Sequence, residues 1–271
     1  FPMPRPRARK EENALTMKDS SLKQKLSRGE VVFGPFWKTR DQALIEAAAS
    51  AGFDFVILDL EHASHAFSDI ESLVRVAELA GIGAVVRTPD HRESDIVKAL
   101  DSGAQGILVP HVSTRAEAQQ VVAAAKFQPL GERGMDVYAR SARYGVIPKS
   151  EYLQEANNST VVAIQIEGQE GVANVKEIVA VPGIDVVFFG PYDLSQSMGI
   201  PGQVDHPDLV AKLKELVDIT RSARKAAGIY VDDSATALRW AQLGIQFISI
   251  SVDVRLFYQA CRQLVAALRE G

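Results

Sequence analysis

From residue 30 onward, short apolar runs alternate with longer segments of helical period. The runs are VVFGPF (31–36), FVILDL (55–60), GAVVRT (83–88), GILVPHV (106–112), VVAIQIE (161–167), DVVFFGP (185–191), GIYVDD (228–233) and FISISVD (247–253). They are continuous rather than alternating, the pattern of parallel strands covered on both faces. The segments 41–51, 69–80, 93–102, 114–126, 170–180, 206–227, 234–243 and 253–269 predict helices. Asp41 heads the first. Ser68, with Glu71 three positions on, reads as a capping box for the second. Gly52, Gly81, Gly103, Gly228 and Gly244 close others. Eight strand–helix units in sequence predict a single (β/α)8 TIM barrel over residues 21–271. A doubly wound open sheet is the rival. It has fewer strands, and no strand here is followed by a Gly-rich dinucleotide turn.

Residues 1–20 lack any hydrophobic period. FPMPRPRARK carries three Pro and four basic residues in ten positions, so a disordered N-terminal tail is expected. Two long connections stand out. Residues 127–160 contain GERGMD, Tyr138, further Arg and a short helix near 150–157. Residues 190–206 are dense in Gly and Pro. Long connections in a compact barrel are usually functional, and the Arg-rich one reads as a lid or subunit contact offering Arg or Tyr138 to an anionic substrate.

Composition narrows the partners. The chain has 271 residues, with 30 Lys plus Arg against 34 Asp plus Glu, a net charge of −4. That balance argues against a nucleic-acid binder. No apolar run is long enough to span a membrane. The one cysteine, Cys261, excludes an internal disulfide. A cytoplasmic enzyme acting on small molecules is expected.

In a TIM barrel the chemistry lies at the C-terminal ends of the strands. Strand two ends in Asp59, Glu61 and His62, strand three in Arg87, strand four in His111, and strand five in Gln165 and Glu167. Asp193 follows strand six, Asp232 and Asp233 follow strand seven, and Asp253 follows strand eight. The last three read as caps or loop residues. Glu167, Asp193 and Arg87 each abut a strand too apolar to carry charge without a partner. Two carboxylates on adjacent strands are hard oxygen ligands suited to Mg²⁺ or Mn²⁺. They leave positions for a chelating 2-oxo acid, with Arg87 facing the keto oxygen of a developing enolate. A Schiff-base aldolase would need a lysine inside a strand, and none of the eight runs contains one. His62 is the general-base candidate, with Asp59 or Asp101 to orient it. His111 caps strand four inside the predicted mouth. A non-catalytic barrel that binds a metabolite is the competing class.

DLEH (59–62), VVRT (85–88), ILVPHV (107–112), GERG (131–134), QIE (165–167), and GPYDLS with MGIPGQ and HP (190–207), resemble the HpcH/HpaI aldolase family of the phosphoenolpyruvate/pyruvate superfamily. The resemblance covers roughly residues 22–270. It implies a divalent metal (Mg²⁺, Mn²⁺ or Co²⁺) held by Glu167 and Asp193. Arg87 would steady a pyruvate enolate, and His62 would act through a metal-bound water with Asp59 and Asp101 as partners. Gln165 and the backbone of Gly190, Pro191 and Tyr192 would line the oxo-acid carboxylate. It also implies homohexamers with the C-terminal helix exchanged between subunits. The substrates implied are a 2-oxo acid with an aldehyde or other acceptor. Cleavage of 4-hydroxy-2-oxo acids, decarboxylation of oxaloacetate, or both are expected. His111, Tyr192 and Asp136 or its neighbour depart from the common bacterial pattern. Arg87, His111 and Tyr138 are instead similar to the macrophomate synthase branch, which joins an oxaloacetate-derived enolate to a 2-pyrone.

Overall fold

The computed structural model describes residues 22–270, so the expected tail lies outside the described residues. Eight parallel strands close into a barrel in sequence order. They are β1 (Val32–Trp37), β2 (Phe55–Asp59), β3 (Gly83–Arg87), β4 (Gly106–Val109), β5 (Val161–Ile166), β6 (Val186–Phe189), β7 (Ala226–Val231) and β8 (Phe247–Val252). β8 returns to pair with β1, where Phe36 stands opposite Val252. All eight expected strands are present.

Alternate residues of each strand face two different cores, as the period of two requires. Inside the barrel, Phe36, Phe55, Ile57, Val85, Leu108, Phe188 and Phe247 pack together. The rings of Phe55 and Phe247 stack at 4.2 Å. The other set, including Val56, Leu58, Val86, Ile107, Val187 and Ile248, packs against the helices. Leu22 and Leu26, on the helix Leu22–Ser27, join the inner cluster. Lys23 and Lys25 tie that helix to Asp185 and Asp54.

Several local expectations are corrected. The helix starting near residue 69 begins at Phe67, with Ala66 at its cap, so Ser68 and Glu71 form no capping box. Asp69 supplies the only side-chain cap, accepting from the Ala66 amide at 2.8 Å. The helix expected over 206–227 ends at Ser222. Arg224, at φ +58°, turns the chain, and Ala226–Gly228 join β7. Helix-forming alanines there yield to the ladder with β6. The segment 170–180 is two short helices broken at Asn174, whose side chain donates to the Ser113 carbonyl at 2.9 Å. The expected loop after β6 contains the helix Pro191–Ser197, entered through proline at its first position.

Candidate active site

The C-terminal ends of β1, β2, β3, β5, β6, β7 and β8 meet over one cavity of about 400 Å³. Its lining includes Phe36, His62, Arg87, Gln165, Phe188, the run Gly190–Asp193, Tyr230 and Asp232.

Asp59 is fully buried at the end of β2. Its carboxylate takes Arg87 in a fork, Nε at 2.9 Å and Nη2 at 2.7 Å. It also accepts the amides of Glu61 and His62 at 3.0 and 3.1 Å. Burial pushes its carboxyl up, but the Arg87 hydrogen bonds and charge, with the two amides, outweigh burial and leave it below the usual range. Asp59 therefore fixes the peptide that carries His62 and not the imidazole. Asp101 does not orient His62 either. Its carboxylate takes Arg133 at 2.6 Å, because the GERG segment returns across the end of the helix Glu93–Asp101.

The carboxylate beside His62 is Glu61, at 3.8 Å. Glu61 reads in the sequence only as a strand ending, yet it links the others: Arg87 Nη1 at 2.9 Å and His111 Nε2 at 2.8 Å. The signal was available, since Asp59 and Glu61 are two positions apart and so leave β2 on one face. Arg87 commits two of its five N–H donors to hydrogen bonds with Asp59 and stands in ion-pair contact with Glu61 through Nη1. Its guanidinium lies over the Phe36 ring, 4.4 Å from the centroid.

Glu167, like Gln165, faces inward from β5 and is buried. Its Oε1 accepts from the His111 amide at 3.0 Å and meets His111 Nδ1 at 2.7 Å. Gln165 Nε2 donates to Oε2. His111 presents its amide from a left-handed conformation, φ +58°, costly for a non-glycine residue. Gly190 permits the crowding: a Cβ there would lie 3.0 Å from Glu167 Oε2 and 3.1 Å from Gln165 Nε2. Burial raises the Glu167 carboxyl above its usual range, and the charges of Glu61 and Asp193 raise it further against the pull of His111.

Asp193 is exposed and lines the cavity, without a hydrogen bond or ion pair among the described residues. It therefore does not need the buried partner that its position after β6 had implied. Tyr138 is corrected further. It stands exposed with its ring beside Gly145, outside the cavity. The long connection folds outward against the flank, where Arg140 grips Glu78 and the Ser102 carbonyl.

The donor set fits a divalent cation. Oxygen and nitrogen atoms of Glu61, His111 and Glu167 lie within 4.8 Å of one another, and the unpartnered Asp193 adds a fourth group to the same mouth. The Gln165 Oε1 atom is buried with no partner. Glu61, Glu167 and Asp193 gather beside an Arg87 already paired with Asp59, a local crowding of negative charge that a divalent metal would relieve.

Residues 33–260 match the model of the HpcH/HpaI aldolase/citrate lyase family. The chain belongs to this family. It is a metal-dependent lyase, as the family is. Over 254 residues it is 38% identical to the hydroxypyruvate/pyruvate aldolase of Pseudomonas aeruginosa, covering 92% of this chain and 93% of that one. The structure of an HpcH/HpaI aldolase from Desulfitobacterium hafniense superposes with a TM-score of 0.87 at 32% identity, over 93% and 97% of the two chains. Macrophomate synthase superposes at 0.79 with 24% identity, over 92% and 91%, which shows a shared fold. No helix among the described residues is long and apolar enough to cross a membrane.

Proposed function

We propose that this lyase acts through the enolate of pyruvate, cleaving 4-hydroxy-2-oxo acids, decarboxylating oxaloacetate, or both. The supporting observation is that unpartnered Asp193 lines the cavity together with Arg87, while buried Glu167 lies behind the lining residues Gly190 and Gln165, close enough to feel the charge of Asp193. The hydroxypyruvate/pyruvate aldolase relative fits the same chemistry.

In this reading Glu167 and Asp193 hold Mg²⁺, with Mn²⁺ or Co²⁺ as alternatives. When bound, the ion supplies Lewis-acid polarisation of the substrate keto group. The N–H donors of Arg87 that Asp59 does not engage stabilise negative charge developing on that oxygen. Asp59 and Glu61 keep the guanidinium aimed, so they act as positioning residues. Gln165 and the backbone of Gly190, Pro191 and Tyr192 hold the oxo-acid carboxylate. His62, exposed at the cavity edge, takes the hydroxyl proton in retro-aldol cleavage. Decarboxylation releases CO₂ and needs no base.

The test is pyruvate release from oxaloacetate and from a 4-hydroxy-2-oxo acid, with Mg²⁺ and with EDTA. Turnover is expected only with metal. His62→Ala should lower aldol cleavage about 100-fold or more while decarboxylation stays within a few-fold. Equal loss of both would refute that division of roles. Absence of metal-dependent turnover on any oxo acid would favour the metabolite-binding reading.

The helix Asp253–Glu270 supports an oligomer. Phe257, Leu264 and Leu268 lie exposed along one stripe. We propose that this helix packs on a neighbouring copy in a homohexamer, which light scattering of the full chain tests directly.

A further inference from the structure

We propose that a second cavity, on the flank of the barrel, binds a small carboxylate with an apolar body, and that its occupancy is felt at the mouth through Arg239 and Asp205. The cavity is independent of the enolate reading, and only the Mg²⁺ measurement below rests on Asp193 holding the ion.

The helices Pro207–Ser222 and Ser234–Gln242 lead into and out of β7. Between them lies a cavity of about 330 Å³ that shares no residue with the one at the mouth. That is the lower end of ligand-site sizes, so the occupant is small. Trp240 forms the floor, with half-buried Val210 and Leu243 beside it. Trp240 is only 3% exposed, yet its indole N–H has no partner among the described residues and, unlike that of Trp37, is not sealed from solvent. The ring borders the cavity, so that donor is available to a ligand there.

The rim is cationic. Lys214 and Arg239 line it from the two helices, with neutral Gln242, and no carboxylate joins them. Lys214 makes no hydrogen bond or ion pair among the described residues, although Asp218 lies one helical turn on. Arg239 makes one hydrogen bond, from Nη2 to Asp205 at 2.9 Å, and keeps its other N–H donors. Two bases over an apolar floor, in a chain of net charge −4, suit an organic anion. Its body covers the indole and its carboxylate meets the bases.

Arg239 also ties the cavity to the mouth. Asp205 lies in the connection that follows the helix Pro191–Ser197, which carries Asp193. Buried Ser195 fastens that connection to the helix. Its hydroxyl accepts the Gly202 amide at 2.9 Å and donates to the Tyr192 carbonyl at 2.5 Å. A carboxylate bound to Arg239 competes with Asp205 for the guanidinium, and so loosens the segment that steadies Tyr192 and Asp193. Arg239 and Asp205 are both exposed, so their pair is weak and the coupling is a few-fold.

The test uses the full chain and benzoate, with acetate and benzyl alcohol as its charged and apolar halves. The chain has two tryptophans, so Trp37→Phe leaves Trp240 as the single indole. Its emission should report benzoate binding at least about 10-fold tighter than that of either half. Lys214→Gln and Arg239→Gln should each weaken benzoate at least about 5-fold, and Asp205→Asn, which frees Arg239, should tighten it. Calorimetry of these variants with Trp37 in place gives the same comparison if Trp37→Phe does not fold. Benzoate should also weaken Mg²⁺ binding about 3-fold, and Asp205→Asn should reproduce that loss without benzoate. In Arg239→Gln benzoate should leave Mg²⁺ binding unmoved, which a direct contact with the ion at the mouth would not. Emission unmoved by benzoate, with heats unchanged in both rim variants, overturns the site. Equal affinity for acetate and benzoate means surface charge only, and overturns it too. Benzoate binding that leaves Mg²⁺ affinity unchanged overturns the coupling. If Asp193→Asn keeps the ion, the metal assignment falls instead, and the benzoate affinity of Asp205→Asn, tighter than the wild type's or equal to it, decides the competition.

Discussion

Glu167 is where two arrangements of the acidic mouth overlap. It pairs with His111 and, through it, with Glu61, and its proton affinity also registers the charge of Asp193. If the ion lies between Glu167 and Asp193, their amide variants should weaken Mg²⁺ binding about 100-fold or more. His111→Ala, which removes a neighbour of the ligands, should cost about 10-fold. Calorimetric titration separates the cases, because a loss in His111→Ala as large as in Asp193→Asn would move the ion into the Glu61–His111–Glu167 cluster. Asp59→Asn tests a different role. It leaves Arg87 buried beside an amide, and unfolding in urea should show a loss of about 3 kcal/mol. The residues that matter were legible as strand endings, but their partners were not. Linear spacing points Asp59 and Asp101 at His62, because they are close in sequence or lie on the neighbouring helix. The structure commits them to Arg87 and Arg133, whose reach across strands no linear spacing reveals. Glu61 went unselected for a related reason: its three contacts come from β2, β3 and β4.

Strands were the most legible elements, because a strand buried on both faces shows itself in a continuous apolar run. Helix limits were less so. At residues 222–228 the local preference for helix competes with a ladder to β6 that only the closed barrel supplies. The break at Asn174 depends on a carbonyl 61 residues away. One glycine carries information that the sequence did not disclose. Gly34 lies within β1, and a Cβ there would fall 2.0 Å from the Phe55 carbonyl oxygen, a backbone atom that cannot step aside. The β1–β8 register also shifts between Gly34 and Phe36. Gly34→Ala should therefore force β1 away from β2 and destabilise the barrel by about 3 kcal/mol or more. Thermal unfolding measures this, and a melting temperature equal to the wild type's would mean that the strand accommodates the methyl group.

For the whole molecule, the unexpected feature is a lysine at the base of the barrel. Lys126 sits in a segment whose lysines read as solvated, yet it is 1% exposed. Its Nζ donates to the carbonyls of Asn157 and Thr160, both at 2.9 Å. Two acceptors suit a neutral amine, which has two N–H bonds, as well as they suit an ammonium. Burial lowers its pKa to about 7, and the nearby Lys23 charge acts in the same direction while Asp185 opposes it. The unfolded chain restores the ordinary value near 10.4. Below pH 7 both states carry the proton, so the cost of a buried charge is present in full. Between pH 7 and about 10.4 the unfolded state binds one proton that the folded state lacks, so stability rises with pH, by at most about 1.4 kcal/mol per unit. Lys225 is lowered by burial as well and adds a slope of the same sign. Comparison with Lys126→Met isolates the first contribution. Urea unfolding at pH 6, 7, 8 and 9 should show the wild type gaining on the variant across the upper part of that range. Parallel curves would mean that Lys126 stays charged inside the fold, held by its two carbonyls against the cost of burial.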